Sequence, residues 1–183
     1  MKKLLSYSLI LFFIGLIFSS CENSAVKKDT AEEIPELLMG IIGLSPNEAG
    51  KIIREKGYIT EGGDYKKGLY EISFQVDNNQ LVTYAVGKIE IVYGATKSNL
   101  TNTAFLWLNS VDVMNFNIIE AGINSDKGNT TYNKLSDMKS DMKNITGEWE
   151  INAYIKNNKG IAMEIQGYST IGVSIEVVKD SYN

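Results

Sequence analysis

At 183 residues the chain has room for one domain with a packed core, and its formal charge of −4 argues against a nucleic-acid footprint, which needs a basic patch. It contains no histidine and one cysteine. Histidine is the commonest metal ligand and the usual general base near neutral pH, so Ser–His–Asp and Cys–His catalysis and ordinary zinc sites are excluded within this chain. Chemistry would have to come from carboxylates, Lys, Tyr or Ser, and no cofactor or metal is expected.

Lys2 and Lys3 form a short positive start, Leu4 to Phe18 is an almost unbroken apolar run, and Phe18-Ser19-Ser20-Cys21 closes it with small residues before the cysteine. The run is short for a spanning helix, which needs about 20 apolar residues, and has the three parts of a secretory leader. These residues resemble the signal peptide of a bacterial lipoprotein; Phe18 departs from the pattern, since Leu is commoner there. The resemblance implies cleavage after Ser20 (a leader over 1–20), a diacylglyceryl group on the Cys21 sulfur and an acylated amine, palmitate included. Several acyl chains would hold the protein stably on a membrane. Glu22 stands where Asp would mark inner-membrane retention, so the resemblance favours the outer membrane, with periplasmic and surface-facing orientations both open. Loss of Lys2 and Lys3 leaves 16 basic against 22 acidic residues, a charge of −6. Residues 21–33 read as a polar tether and 34–183 as a single globular domain without a disulfide.

Pro35 to Gly43 (PELLMGIIG) is apolar nearly all round and reads as a short buried helix entered at a first-turn proline. Ser45, Pro46 and Glu48 form a capping box with proline at the first helical position, Ala49, Ile52 and Ile53 share one face, and Gly57 marks the stop. After a loop at Glu61-Gly62-Gly63-Asp64 the period becomes two. Tyr70, Ile72, Phe74 and Val76 form one face of a strand, Asp77 to Gln80 a turn, and Leu81 to Tyr93 the returning strand of a hairpin. In that strand the parity of Val82, Tyr84 and Val86 switches to that of Ile89, Ile91 and Tyr93, and a bulge or bend at Gly87 is expected.

Ser98 to Asp112 reads two ways: Leu100, Ala104, Trp107, Leu108 and Val111 form a helical stripe, the favoured reading, while Ala104 to Leu108 also fits a buried strand. Val113 to Ile123 reads as a strand with Phe116 and Ile118 inward, and Asn124 to Tyr132 as a polar loop. Asn133 to Lys143 places Leu135, Met138 and Met142 on one helical face. Glu148 to Lys156, Gly160 to Gln166 and Gly172 to Lys179 read as three antiparallel strands, the first two joined by a turn at Asn157 to Gly160. The expected fold is therefore α+β: an N-terminal helix pair, then an antiparallel hairpin and meander sheet with further helices. The helix pair followed by strands resembles small envelope lipoproteins of the outer-membrane assembly machinery, and no residue role is carried over from them.

The Asn124 to Gly128 loop has oxygens at alternate positions but lacks the glycine and terminal glutamate of a calcium loop, so it reads as a solvated turn. Strand periodicity turns Glu148 and Glu150 outward and Trp149 into the core. Met138 and Met142 read as core. Of the tyrosines, Tyr58, Tyr65 and Tyr168 fall in loops and are the candidates for an interaction surface. The leading expectation is a non-enzymatic, lipid-anchored binding protein of the envelope, in its narrower form an immunity or inhibitor lipoprotein whose acidic surface suits a basic protein partner. The alternatives are a carboxylate-dependent glycan hydrolase drawing on Glu120, Asp126, Glu148 or Glu150, and a structural subunit of an envelope assembly.

Overall fold

A computed structural model describes residues 29–179. The segment expected to be a leader and Cys21, where lipidation is expected, lie outside the described residues. The first helix, α1 (Thr30–Ile41), starts five residues earlier than expected. Asp29 caps it by accepting a hydrogen bond from the Ala31 amide at 2.9 Å, and Glu32 and Glu33 put negative charge at the positive end of the helix dipole. Ala31 and Ile34 are fully buried, so residues 30–33, read as tether, belong to the domain. Pro35 consequently sits inside the helix instead of opening it.

Helix α2 (Pro46–Glu55) has both halves of its capping box: the Glu48 amide donates to Ser45 Oγ, and the Ser45 amide donates to the Glu48 carboxylate. The stretch read as a loop over Glu61 to Asp64 is a hairpin, β1 (Ile59–Glu61) and β2 (Asp64–Lys67). Its two-residue turn is Gly62-Gly63, with φ of +63° and +100°, a left-handed pair that glycine adopts without a Cβ penalty.

Strands β3 (Tyr70–Val76) and β4 (Val82–Glu90) form the expected hairpin, with the Asp77 carboxylate accepting from the Asn79 and Leu81 amides across the turn. The parity switch is present but sits earlier than Gly87. Gln75 pairs with Tyr84 and Val76 with Val82, leaving Thr83 as the extra residue. Beyond it Ala85, Gly87 and Ile89 point to the core. Gly87 is regular strand, and its role is close approach: a Cβ there would lie 2.6 Å from Ile34 Cγ2 of α1. The strand ends at Glu90, and Ile91–Tyr93, expected as strand, is a single 3-10 turn.

Helix α3 (Lys97–Asp112) buries Leu100, Ala104, Trp107, Leu108 and Val111 completely, the stripe read from the sequence. Strand β5 (Asn117–Ser125) starts later than expected, after a turn through left-handed Asn115 (φ +56°) that follows the helix. Phe116 and Ile118 pack against the core as expected, and Ile119 is an extra residue between Ile118 and Glu120. The polar loop over Asn124 to Tyr132 is a second tight hairpin, with Asp126-Lys127 turning the chain into β6 (Gly128–Thr131). Helix α4 (Leu135–Lys143) buries Leu135, Met138 and Met142. The closing meander β7 (Trp149–Lys156), β8 (Ile161–Tyr168) and β9 (Gly172–Lys179) matches its expected strands.

The fold is α+β. The nine strands of the described residues join one antiparallel sheet in the order β1-β2-β3-β4-β9-β8-β7-β5-β6, with the meander docking on β4 through β9. Register aligns Tyr65, Ile72, Gly87, Ile175, Ile165, Ala153 and Ala121 across the sheet. That row faces the helices, and from Ile72 to Ala121 it is buried. Antiparallel sheets can keep one face on a core and leave the other to solvent, and among the described residues no helix covers the opposite face.

Candidate functional site: the open face of the sheet

The residues alternating with the core rows define the open face. One row reads Glu120, Tyr154, Glu164, Glu176, Val86 and Ser73 across β5, β7, β8, β9, β4 and β3. A second reads Asn124, Glu150, Tyr168, Gly172 and Glu90. Between them lies Asn152, Gln166, Ser174, Lys88, Glu71 and Lys66.

The two halves of this face differ electrically. On β2–β4, charges are matched. Glu71, only 7% exposed, takes Lys88 Nζ at 2.9 Å and Lys66 Nζ at 3.9 Å, and the same lysines reach Glu90 and Glu61. The hydrogen bond to Glu71 raises the Lys88 ammonium above the usual lysine range. On β5–β9 the outward positions carry Glu120, Glu150, Glu164 and Glu176 against Lys156. Glu164 and Glu176 are direct cross-strand partners, and like charges directly opposite destabilise a sheet.

The neighbouring tyrosines and amides bind these carboxylates. Burial and donation of its hydroxyl to Glu176 push the Tyr84 phenol up to about 12. Gln166 Nε2 donates to Glu164 Oε1 at 2.5 Å. Tyr168 is raised by its hydrogen bond to Glu150. Tyrosine offers an apolar body with a polar tip, and it is enriched at interfaces for that reason.

Glu120, Glu150 and Asn152 line a shallow depression of about 400 Å³ over β5, β6 and β7. A second, of about 300 Å³, adjoins it and is lined by Asp126, Glu148, Glu150 and Tyr168. The side-chain oxygen of Asn152 is buried beside the first with no hydrogen-bond partner. The four carboxylates singled out from the sequence therefore fall on one side of the sheet, around linked hollows. Trp149 turns inward as expected and donates its indole N–H to Thr101 Oγ1 at 3.0 Å.

Of the three candidate tyrosines, Tyr168 alone is on this surface, 45% exposed. Tyr58 is buried at 3% exposure, capped by Lys67 Nζ at 5.5 Å from its ring, and its hydroxyl has no partner. It seals the link between α2 and β1. Tyr65 belongs to the helix side because it pairs with Ile72; its hydroxyl abuts Gly50 of α2 and its ring stacks on Phe74 at 6.0 Å. The sequence reading missed Tyr84, Tyr154, Glu164 and Glu176. Their period-2 placement was visible, but Thr83 inverts the parity assigned to Tyr84, and nothing local shows that Glu164 meets Glu176.

Among the described residues no group of three or more acidic or cysteine side chains is placed to hold a metal ion, and no helix is long and apolar enough to cross a membrane. No family model, curated protein or solved structure matches the chain.

Proposed function

We propose that the chain is a lipid-anchored interaction protein of the cell envelope that presents the β5–β9 half of its open sheet face to a basic protein. The observation that carries this reading is the Glu164–Glu176 pair. A like-charged pair in cross-strand register works against the isolated fold, the hydrogen bonds from Gln166 and Tyr84 bring no positive charge to it, and a local rule broken in this way is expected at a functional surface. A cationic partner supplies the missing counter-charge, steers association and suppresses wrong partners. The leader and Cys21 support the address, outer membrane before inner, with anchoring through lipid on Cys21.

In the narrower form the partner is an incoming toxin or an envelope enzyme that the protein neutralises. Nanomolar affinity for one protein is then expected, together with sensitivity of cells lacking this chain to rival strains. Unchanged sensitivity would remove the immunity role while leaving the interaction role standing. Surface plasmon resonance of the partner against wild type and a Glu164→Lys/Glu176→Lys variant tests the face itself; equal affinity for the two would discard it.

The hydrolase reading draws on the Glu120–Glu150 hollow. Glycan hydrolysis needs two carboxyls across a cleft, one of them kept protonated by burial. Glu120 is exposed and Glu150 half-exposed, which supports a binding surface better than an acid–base pair. Glu150→Gln should therefore leave partner capture weakened and expose no lost glycan cleavage.

A further inference from the structure

One end of the sheet is apolar where it should be wet. The turn after β4 exposes Val92 by 81% and Tyr93 by 53%, and Ile171 in the β8–β9 turn is 62% exposed. The two turns are tied together, the Ile91 amide donating to the Ile171 carbonyl at 2.9 Å. The Tyr93 ring lies 5.5 Å from Lys66 Nζ and 5.8 Å from Lys88 Nζ. Contiguous exposed apolar surface marks a contact with another phase or molecule. Tyrosine flanked by lysine stems is the composition of a membrane interface, with the ring at headgroup level and the ammonium groups reaching water and phosphate.

The position of α1 says which contact this is. Ile34 and Leu38 bracket Gly87, and the Gly43 amide bonds the Val82 carbonyl, so α1 runs antiparallel to β4. Its N-terminus at Asp29 thus lies at the Glu90 end of the strand, the end that carries Val92 and Ile171. Only seven residues separate Cys21 from Asp29, and the eight steps between the two span at most about 28 Å fully extended. A lipid on Cys21 would hold this end, and not the Asp77–Gln80 end, against the bilayer.

We infer that the Val92–Tyr93–Ile171 tip is a membrane-contacting surface that seats in the headgroup–acyl boundary of the bilayer holding the anchor. This rests on the lipid-anchor reading of Cys21. Three side chains bind lipid weakly by themselves, and the tether supplies the high local concentration that makes the contact persistent. Glu61 and Glu90 beside the lysines balance the local charge, so the fit is to zwitterionic headgroups by apolar insertion and not to an anionic surface. Seated this way, the strands rise from the membrane, the Glu150–Tyr168–Glu90 row lies next to it, and the Glu120–Glu164–Glu176 row farther up the strands stays accessible.

The test uses the full chain, processed by a bacterial host and purified in its mature form, carrying either Val92→Cys or Asn79→Cys. Lipid on Cys21 blocks that sulfur, so an environment-sensitive fluorophore labels the introduced cysteine alone. In phosphatidylcholine vesicles with spin-labelled acyl chains, the label at 92 is expected to shift to the blue and to be quenched several-fold more than the label at 79. Equal, weak quenching at both positions with the protein anchored would overturn the proposal. So would loss of exposure at 92 through self-association without lipid quenching, which would make the occupant a second copy. If mass spectrometry finds a free thiol at Cys21, the anchor reading fails separately. The Cys21→Ser/Val92→Cys chain is then titrated with the same vesicles, and the absence of quenching at saturating lipid would overturn the tip as well.

Discussion

The indole N–H of Trp107 donates to the carbonyl of Ala31 at 2.9 Å, the one helical acceptor that Pro35 leaves unfilled. Proline has no N–H, so in the middle of α1 it removes the bond that residue 35 would make to residue 31. Trp107 is fully buried in α3, and its donor replaces the missing one across 76 residues of chain. Next to it Ser110 Oγ donates to the Glu32 carbonyl at 3.2 Å. The proline that looks like a helix start is instead the notch into which α3 locks.

Trp107→Phe should therefore lower stability by about 1–3 kcal/mol from the orphaned buried carbonyl, plus a packing loss. In a Pro35→Ala background the new amide at 35 can satisfy Ala31, so the same change should cost about 1 kcal/mol less. Urea unfolding of the four proteins in the cycle measures this coupling. Strict additivity would show that Trp107 acts by bulk alone.

Gly87→Ala places a methyl 2.6 Å from Ile34 Cγ2, between α1 and the sheet. Overpacking of this kind costs about 1–3 kcal/mol. The urea midpoint should fall without a change in slope, and an unchanged midpoint would show that α1 shifts freely on β4.

Burial, with Glu33 nearby, holds the Tyr58 phenol well above the usual tyrosine range, and burial also raises Tyr70, whose hydroxyl hydrogen-bonds Thr103. Groups whose folded pKa lies above the unfolded value stabilise fully below the unfolded pKa and lose that contribution as pH rises past it. The raised Lys88 has the same sign. Stability should hold from neutral pH to about 10 and fall above it. Tyrosinate absorbance should show a subset of tyrosines titrating together with unfolding. Tyr58→Phe removes a buried hydroxyl without a partner, so it should raise stability by about 1 kcal/mol and blunt the alkaline loss. A Phe variant less stable than wild type at neutral pH would mean that the hydroxyl is satisfied.

Glu164→Gln should relieve the repulsion across β8 and β9 and stabilise the fold by about 0.2–1 kcal/mol. The same change should weaken binding of the basic partner. Thermal unfolding and partner affinity would thus move in opposite directions, whereas a variant that loses both would place Glu164 in the fold's own support.

Much of this architecture is legible in the chain because the signals are local. The Ser45–Glu48 box and the alternation of β7–β9 each fix an element without reference to distant residues, whereas the Leu100–Val111 stripe, also compatible with a buried strand over Ala104 to Leu108, proves to be helix. The misreadings share a cause. Gly62-Gly63 and Asp126-Lys127 are two-residue turns leading into β2 and β6, four-residue strands too short and polar to show an apolar stripe, and Asp29 caps a helix whose first turn looks like a charged tether. The site was less legible than the fold. Tyr58 and Tyr65 look exposed by position in the chain and are sequestered by α2, while the Glu164–Glu176 pairing exists only once β8 and β9 are in register.

The most direct test of the central claim is quantitative capture from envelope extracts at stepped salt, using the full chain as a bacterial host produces it, its Glu164→Lys/Glu176→Lys variant and a Ser136→Ala control on α4. The account predicts one stoichiometric basic protein, released by salt, absent from the double variant and retained by the control. An identical set of captured proteins from all three chains, or none at low salt, would contradict it.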